Sequence, residues 1–134
     1  MSQNENRFLN PDGLWRSPGY SHIVETRATR ILYLSGQAPL DAQGNLVAPG
    51  DMAGQAEQVF QNIGVLLASA GASFSDVVKL TYYVADITQI QAIRDVRDRY
   101  FQNSGHMPAS SAIGAALIHP DWLLEVDVVA ALYD

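Results

Sequence analysis

The C-terminal segment 122–132 restricts the fold of this chain more than any other stretch. Every second residue is apolar, namely Leu124, Val126, Val128, Ala130 and Leu132. The alternate set combines two carboxylates with apolar residues, namely Leu123, Glu125, Asp127, Val129 and Ala131. A period of two is typical of a β-strand whose two faces differ. The segment therefore predicts a strand with one face in the core and a second face that is only partly polar.

An amphipathic helix is predicted in the first half of the chain. Asp51 is a suitable N-cap, because its carboxylate can accept from the free amides of the first turn. The residues that follow at spacings of three and four form one apolar stripe: Met52, Ala56, Val59, Phe60, Ile63, Leu66, Leu67 and Ala70. Gly71 provides a left-handed C-terminal stop.

The remaining elements follow from turn residues and periodicity. Residues 1–18 are polar and contain Pro11, Gly13 and Pro18, which predicts an irregular N-terminal arm. Strands are predicted at 21–26, 30–35, 76–85 and 109–117. A second helix is capped by Thr88 or Asp86 and ended by Ser104 and Gly105, and its apolar stripe consists of Ile90, Ile93, Val96 or the Arg97 methylenes, Tyr100 and Phe101. The order is ββ-α-β-α-ββ, an α+β fold with two helices on one sheet face. We expect one domain spanning residues 1–134.

The second face of the sheet is predicted to be too apolar for open water. It would carry Val77, Tyr83, Leu123, Val129 and Ala131. The two predicted helices can cover only one face of the sheet. Charged residues make up 16% of the chain, against roughly 25% in a typical domain, which leaves more apolar surface to be buried. Other copies of the chain are the simplest cover for this face, so we expect a homo-oligomer.

Composition argues against several classes of function. The net charge is −6, and three arginines alternate with Asp95 and Asp98, which predicts a solvated helix face with internal ion pairs rather than a nucleic-acid surface. No apolar run approaches the roughly 20 residues that span a bilayer, and the first residues lack a signal pattern. The absence of cysteine excludes thiolate chemistry and fits a cytoplasmic setting.

Several short motifs follow one another along the chain: Pro18-Gly19-Tyr20-Ser21-His22, Leu34-Ser35-Gly36-Gln37-Ala38-Pro39-Leu40-Asp41, Gln55, Asn62, Ala70-Gly71-Ala72, Asp76-Val77-Val78-Lys79, Arg99-Tyr100-Phe101, Pro108-Ala109-Ser110-Ser111-Ala112 and Leu124-Glu125-Val126. They resemble the motifs of the RidA (YjgF) family of small imine and enamine deaminases. Each motif alone is weak, but their shared order and spacing identify the chain as a member.

The resemblance implies a chorismate-mutase-like fold and a homotrimer. The sheets of three subunits would form a barrel with the helices outside and three clefts at the subunit interfaces. Deaminating members hydrolyse 2-imino acids to 2-oxo acids and ammonia without metal or cofactor. In them an arginine holds the substrate carboxylate, backbone amides of the Ser-Gly segment assist, and a glutamate of the last strand orients the attacking water.

The resemblance assigns candidate roles to five residues. Glu125 would be the catalytic residue that activates water, and Tyr20, Ser35, Gly36 and Ser110 would bind substrate. Ser110 stands where the deaminases carry the arginine, and a lost charged pair costs about 1.5–3 kcal/mol of binding. Poor activity on simple 2-imino acids is therefore expected. Without the resemblance, the sequence predicts structural roles for these residues. Glu125 would face solvent or form an ion pair at an interface, Tyr20 would be a half-buried packing residue, and Ser35-Gly36 would form the turn that ends a strand.

Other residues carry weaker signals. Arg7, Arg16 and Arg30 could supply the missing charge from elsewhere. The histidines are His22, His106 and His119, and their spacing matches no metal site.

Three functions remain in competition at this point. The first is a deaminase-like hydrolase acting on a small imine, enamine or related reactive metabolite. The second is a non-catalytic trimer that binds a small molecule in the same clefts. The third, endoribonuclease, is disfavoured because the chain is acidic and has no basic stripe.

Overall fold

The computed structural model describes residues 6–133, and within them the chain forms six β-strands and two α-helices. The strands are β1 (Arg7–Leu9), β2 (Ile23–Glu25), β3 (Arg30–Gln37), β4 (Val77–Val84), β5 (Ala109–Gly114) and β6 (Leu124–Leu132), and the helices are α1 (Met52–Ser69) and α2 (Ile90–Phe101). Single 3₁₀ turns at Phe74–Asp76 and Ile87–Gln89 precede β4 and α2. The α+β class with two helices is confirmed.

Four strands form the main sheet, in the order β3-β6-β4-β5. The last strand, β6, is central and runs antiparallel to both of its neighbours, so that Val128 pairs with Leu34 on one side and with Leu80 on the other. The chain leaves β4, forms α2 and returns as β5, parallel to β4. Strand β5 is therefore a sheet edge, and four of its six residues are exposed.

Helix α1 begins and ends where the sequence predicts. The Asp51 side chain accepts a hydrogen bond from the Gly54 amide at 3.2 Å. At the other end the Gly71 amide donates to the Ala68 carbonyl, and Gly71 has a φ of +76°, a conformation that a side chain disfavours. The predicted stripe faces the sheet, except that Leu66 is exposed and Gln55 joins the buried set.

The core lies between the two helices and one face of the sheet. All five residues predicted for the inner face of β6 are at most 5% exposed. Four aromatic rings from both helices and the turn before β4 pack together beneath them: Phe60, Phe74, Tyr100 and Phe101. Two hydrogen bonds also join the helices, because Glu57 accepts from Tyr100 at 2.6 Å and from Arg99 at 2.7 Å.

The second sheet face differs in part from the prediction. Val77 is 1% exposed because a bulge between Val77 and Lys79 adds one residue to β4, which turns Val77 toward the core opposite Ala130. Ala131 is also buried, and its carbonyl accepts a hydrogen bond from Asn6. Leu123 packs partly against the core.

Apolar side chains nevertheless remain on the second face. Tyr83 and Val129 are half-buried there, as predicted. Strand β3 adds Ile31 and Tyr33, which pair with Ala131 and Val129 respectively, and Tyr33 is 80% exposed. The second face thus keeps an exposed apolar area along β3 and β6.

The N-terminal arm is not wholly irregular. Arg7–Leu9 forms β1, which pairs antiparallel with β2 in a separate two-stranded sheet. Both the amide and the hydroxyl of Ser21 donate to backbone carbonyls just before β5, at Pro108 and Met107. The arm is therefore held against the start of β5.

Two element ends also differ from the prediction. Strand β5 stops at Gly114 instead of residue 117, because its partner β4 ends at Val84 and offers no further ladder. Asp86 caps the 3₁₀ turn by accepting from the Thr88 amide at 3.1 Å, and α2 itself starts at Ile90. Across residues 6–133, no helix has both the length and the apolar character needed to cross a bilayer.

Candidate functional site

Ser110 and Glu125, which the sequence assigns to one site, lie on opposite faces of the main sheet. Ser110 pairs with Leu80, and Leu80 is fully buried in the core. Glu125 pairs with Tyr83 across the β4–β6 ladder. Paired residues project to the same face, whereas residues three apart in one strand project to opposite faces. One copy of the chain therefore holds these two side chains in separate places.

Ser110 lines a cleft of about 470 Å³ between the segment before β2, helix α2 and strand β5. We call it the Ser110 cleft. Its lining is Trp15, Ser17, Pro18, Gly19, Tyr20, Tyr82, Ile90, Gln91, Ile93, Arg94, Arg97, Asp98, Ser110, Ser111 and Ala112. The structure thus brings Tyr20 and Ser110 together, as the sequence predicts, on the helix side of the sheet.

A buried arginine lies in the Ser110 cleft. The Arg97 side chain is 10% exposed, and its Nε and Nη2 atoms donate to one oxygen of Asp98 at 3.0 and 2.9 Å. Asp98 itself is 61% exposed. The charged side chains around the cleft are Arg94, Arg97 and Asp98, so two positive charges face one negative charge in a protein whose net charge is −6.

Tyr82 lies beside this arginine. It is 3% exposed, and its hydroxyl has no hydrogen bond of standard geometry among residues 6–133. Burial raises the pKa of Tyr82 to about 12, and the nearby Arg97 charge opposes that rise. The hydroxyl therefore stays protonated at neutral pH and is available as a donor.

Gly19 allows the backbone to approach Arg97 closely. A Cβ at this position would lie 3.0 Å from Nη2 and 3.3 Å from Nη1 of Arg97. Trp15 and Tyr20 form an aromatic lip above, with ring centroids 6.4 Å apart. His22 holds this lip in place, because its Nε2 lies 2.6 Å from the Trp15 carbonyl oxygen and its ring meets Tyr20 edge-on.

Glu125 lies on the other face, against Gly36. A Cβ on Gly36 would overlap the Glu125 carboxylate and sit 2.8 Å from its Cδ, so any other residue at 36 would force this carboxylate out of its present position. A shallow depression surrounds the pair, which we call the Glu125 depression; it includes Gln37, Ala38, Ile118 and Trp122 among its lining residues. Gly36 and Glu125 are thus neighbours, as the sequence predicts.

Ser35 stands on the same edge but outside the depression's lining. It is exposed, and its carbonyl accepts a hydrogen bond from the Gln37 side chain at 3.1 Å. Two residues beyond Glu125 on this face, Asp127 accepts from the Tyr83 hydroxyl at 3.4 Å. The Asp127 charge raises the pKa of Tyr83, with a smaller contribution from Glu125, so this face is locally acidic.

Helix α1 holds both loops that frame the Glu125 depression. Buried Gln55 accepts from the Leu123 amide at 2.8 Å and donates to the Asp121 carbonyl at 3.2 Å. Asn62 donates to the Ala38 and Leu40 carbonyls at 3.3 and 3.0 Å. The sequence matched Gln55 and Asn62 to the family without giving them a role; they position the chain on either side of Glu125.

The other histidines and arginines lie outside both places. His106 stacks on Phe8 with centroids 3.6 Å apart, and burial lowers its pKa. His119 stacks on Trp122 in the turn before β6. Arg7 pairs with Glu25 in the small sheet, and Arg30 donates to the Ala70 carbonyl. In the described part of the chain, no three His, Asp or Glu side chains converge as a metal site would require.

The sequence predicts two positions for Arg97, one among the ion-paired charges of a solvated helix face and one, through its methylenes, as an alternative to Val96 on the apolar stripe of α2. Its alternation with Asp95 and Asp98 predicted a solvated helix face, yet Arg97 is buried and lines the cleft. The helical spacing after Ile93 contained the signal, because it places position 97 on the inward stripe of α2. Arg16, the third arginine considered as a substitute, lines neither the Ser110 cleft nor the Glu125 depression.

The chain resembles known proteins along most of its length. Residues 15–132 match the family model described as Endoribonuclease L-PSP. The 2-iminobutanoate/2-iminopropanoate deaminase of Capra hircus is 37% identical over 101 residues, covering 75% of this chain and 72% of the goat protein. Protein DfrA of Myxococcus xanthus is 33% identical over 111 residues, covering 83% of both chains.

Solved structures also resemble this chain along most of its length. YyfB, a protein of the conserved Rid family from Yersinia pestis, superposes with a TM-score of 0.89 at 34% identity, covering 95% of this chain and 98% of that one. The YjgF gene product of E. coli superposes with a TM-score of 0.68 at 25% identity, covering 80% of this chain and 87% of that one.

Proposed function

Because this chain belongs to the RidA (YjgF) family, we propose that it is a deaminase-like hydrolase that acts on a small imine or enamine without a cofactor. The observation that carries the proposal is the separation of two complementary half-sites on one chain. One half is the acidic Glu125 depression, and the other is the Ser110 cleft with its excess of positive charge.

A complete site is proposed to form between two copies of the chain. The exposed apolar residues of the second sheet face and the edge strand β5 are the surfaces available for this contact. The carboxylates of one copy and the arginines of the next have opposite charge, which favours this orientation. Closure by a threefold operation gives three equivalent sites, hence a homotrimer whose small-molecule clefts lie at the interfaces.

The reaction needs one base and one anion-binding region. Glu125 takes a proton from water, and the water oxygen attacks the imine carbon to give a carbinolamine. Glu125 returns that proton to the nitrogen, which completes the neutral carbinolamine. Glu125 then takes the carbinolamine hydroxyl proton and passes it to the nitrogen as the carbonyl forms, the C–N bond breaks and ammonia leaves. The sum is imine plus water giving a ketone plus ammonia, and Glu125 ends in its starting state. Tyr20 and Ser110 hold the substrate, and Gly36 leaves space for the base.

A non-catalytic binding trimer is the second candidate. The observation in its favour is Ser110 itself, because a serine hydroxyl replaces the charged fork that grips a carboxylate in the deaminases. The trimer would then keep its clefts as ligand pockets. Endoribonuclease activity receives less support, because the charged side chains of the Glu125 depression are carboxylates, which repel a phosphate backbone.

Turnover by Glu125 variants tests the proposal. The substrates are imines of alanine, 2-aminobutanoate and phenylalanine, generated in situ by an amino-acid oxidase and followed by semicarbazide trapping. Glu125→Gln should lower turnover by about 10²–10⁴-fold, because the amide cannot accept the proton. Asp127→Asn is the matched control on the same strand and face, and it should keep most of the activity. Equal activity of Glu125→Gln and the unaltered protein would refute the catalytic role.

A further inference from the structure

Arg97 is a buried cation whose counter-ion, Asp98, lies largely in water. Arg97 is 10% exposed and Asp98 61% exposed. A water-exposed carboxylate is screened and only partly neutralises the guanidinium. Since Arg94 adds a second positive charge to the Ser110 cleft, one negative charge from a ligand would balance it.

Tyr82 is a second sign of a ligand, because its neighbour Arg97 can only donate a hydrogen bond and leaves the hydroxyl proton without an acceptor. Its hydroxyl is buried at the wall of the cleft, and among the described residues no acceptor receives it in good geometry. A buried donor left unsatisfied is costly, and native proteins seldom retain one without a function. The oxygen of an anion bound to Arg97 would satisfy this donor.

The small residue at 110 completes the arrangement. Ser110 projects to the helix side of the sheet and lines the same cleft as Arg97. An arginine at 110 would place another guanidinium beside Arg97 and repel it, whereas a serine leaves space and adds a hydroxyl. The cation is thus supplied by α2 instead of by β5.

We infer that Arg97, assisted by the Ser110 and Tyr82 hydroxyls, binds the carboxylate of an organic acid and is the specificity-determining residue of the cleft. The inference rests on the proposed function and names its substrate class. The cleft of about 470 Å³ is lined by Trp15, Tyr20 and Ile93, far more apolar surface than a two- or three-carbon acid can fill. The substrate is therefore an imine of a 2-oxo acid with a bulky apolar or aromatic side chain.

Binding calorimetry tests the inference without relying on turnover. The probes are phenylpyruvate, which would be the product of the aromatic imine, its neutral methyl ester, and pyruvate. The unaltered protein should bind phenylpyruvate at least tenfold more tightly than either of the other two. Arg97→Gln should weaken phenylpyruvate binding by about 10–100-fold and abolish the preference over the ester. Arg97→Lys keeps the charge and should retain part of that preference.

The control is Arg99→Gln, which removes an exposed arginine of the same helix that pairs with Glu57 outside the cleft. It should bind phenylpyruvate like the unaltered protein. The inference is overturned if folded Arg97→Gln keeps full affinity, or if the unaltered protein binds acid and ester equally or binds neither. It is also overturned if Arg97→Gln dissociates the oligomer and Arg97→Lys restores it, because Arg97 is then an interface ion pair.

A second variant, in which the positive charge is moved to another residue of the cleft, tests the inference if Arg97→Gln alone folds poorly. The double variant Arg97→Gln with Ser110→Arg moves the cation from the helix to the strand, and it should regain acid binding with pyruvate now favoured over phenylpyruvate. Unchanged preference for phenylpyruvate would count against the inference. Failure of the proposed function can be distinguished from failure of this inference. Tight phenylpyruvate binding without imine turnover would support a binding protein that uses the Arg97 site. Imine turnover that Arg97→Gln leaves unchanged would support the hydrolase and contradict the Arg97 site.

Discussion

Gly36 and Glu125 show how a single hydrogen in place of a methyl group decides where a charge is held. The Glu125 carboxylate occupies the volume that any other residue at 36 would fill with its Cβ. The pair sits where β3 and β6 lose regular register between Leu34 and Gln37, while the regular β4–β6 ladder pairs Glu125 with Tyr83 on its other side.

Gly36→Ala should therefore displace Glu125 without removing it. We expect imine turnover to fall by about 10²-fold, because misplacing a catalytic group by about 1 Å has an effect of this size. Gly64→Ala is the control: its Cβ would meet only Phe74 at 3.4 Å, and alanine favours the helix by about 1 kcal/mol over glycine. Full activity of Gly36→Ala would contradict the placement of Glu125.

At the scale of elements, each half-site depends on segments that lie far from it in sequence. Helix α1 holds the loops beside Glu125 through Gln55 and Asn62. The arm is held at the start of β5 by Ser21, and the stacking of Phe8 on His106 adds to that contact. This second contact contains the His106 imidazole, whose pKa burial lowers.

The docking of the arm should weaken in mild acid. Burial lowers the pKa of His106 in the folded protein below the unfolded value of about 6.5. Between those two pKa values the unfolded chain binds more protons than the folded protein, so the free energy of unfolding rises with pH. The contribution of neutral His106 to stability is therefore complete above about pH 6.5 and is lost as the pH falls below it. His106→Phe keeps a stacking ring and should flatten the slope measured by urea unfolding between pH 5 and 7. The same slope in the variant and the unaltered protein would show that His106 is not its source.

At the scale of the whole molecule, local patterns predicted most of the architecture and only part of the site. Helix α1 lies between Asp51 and Gly71, as expected, because the capping of a helix depends only on residues near its ends. Val77 was assigned to the wrong face, since one extra residue in β4 reverses an alternating pattern. Helical spacing places Arg97 on the inward stripe of α2, but its position in one cleft with Ser110 depends on how β5 and the segment around Gly19 meet α2, which periodicity does not reveal.

The site itself shows the same limit. Ser110 and Glu125 were assigned to one cleft through the family resemblance, and the sheet register separates them within one chain. The two statements agree if neighbouring copies share each site. We therefore expect neighbouring copies to share each site.

Complementation between two inactive variants tests the claim most directly. Ser110→Phe should fill the cleft, Glu125→Gln should remove the base, and each variant alone should scatter light as about three times the chain mass of 14.6 kDa. Co-expressed in equal amounts, they should recover about one quarter of normal imine turnover, because a random pair of neighbours supplies both intact halves at that frequency. Mixed trimers that remain as inactive as either variant alone would contradict a site shared between copies.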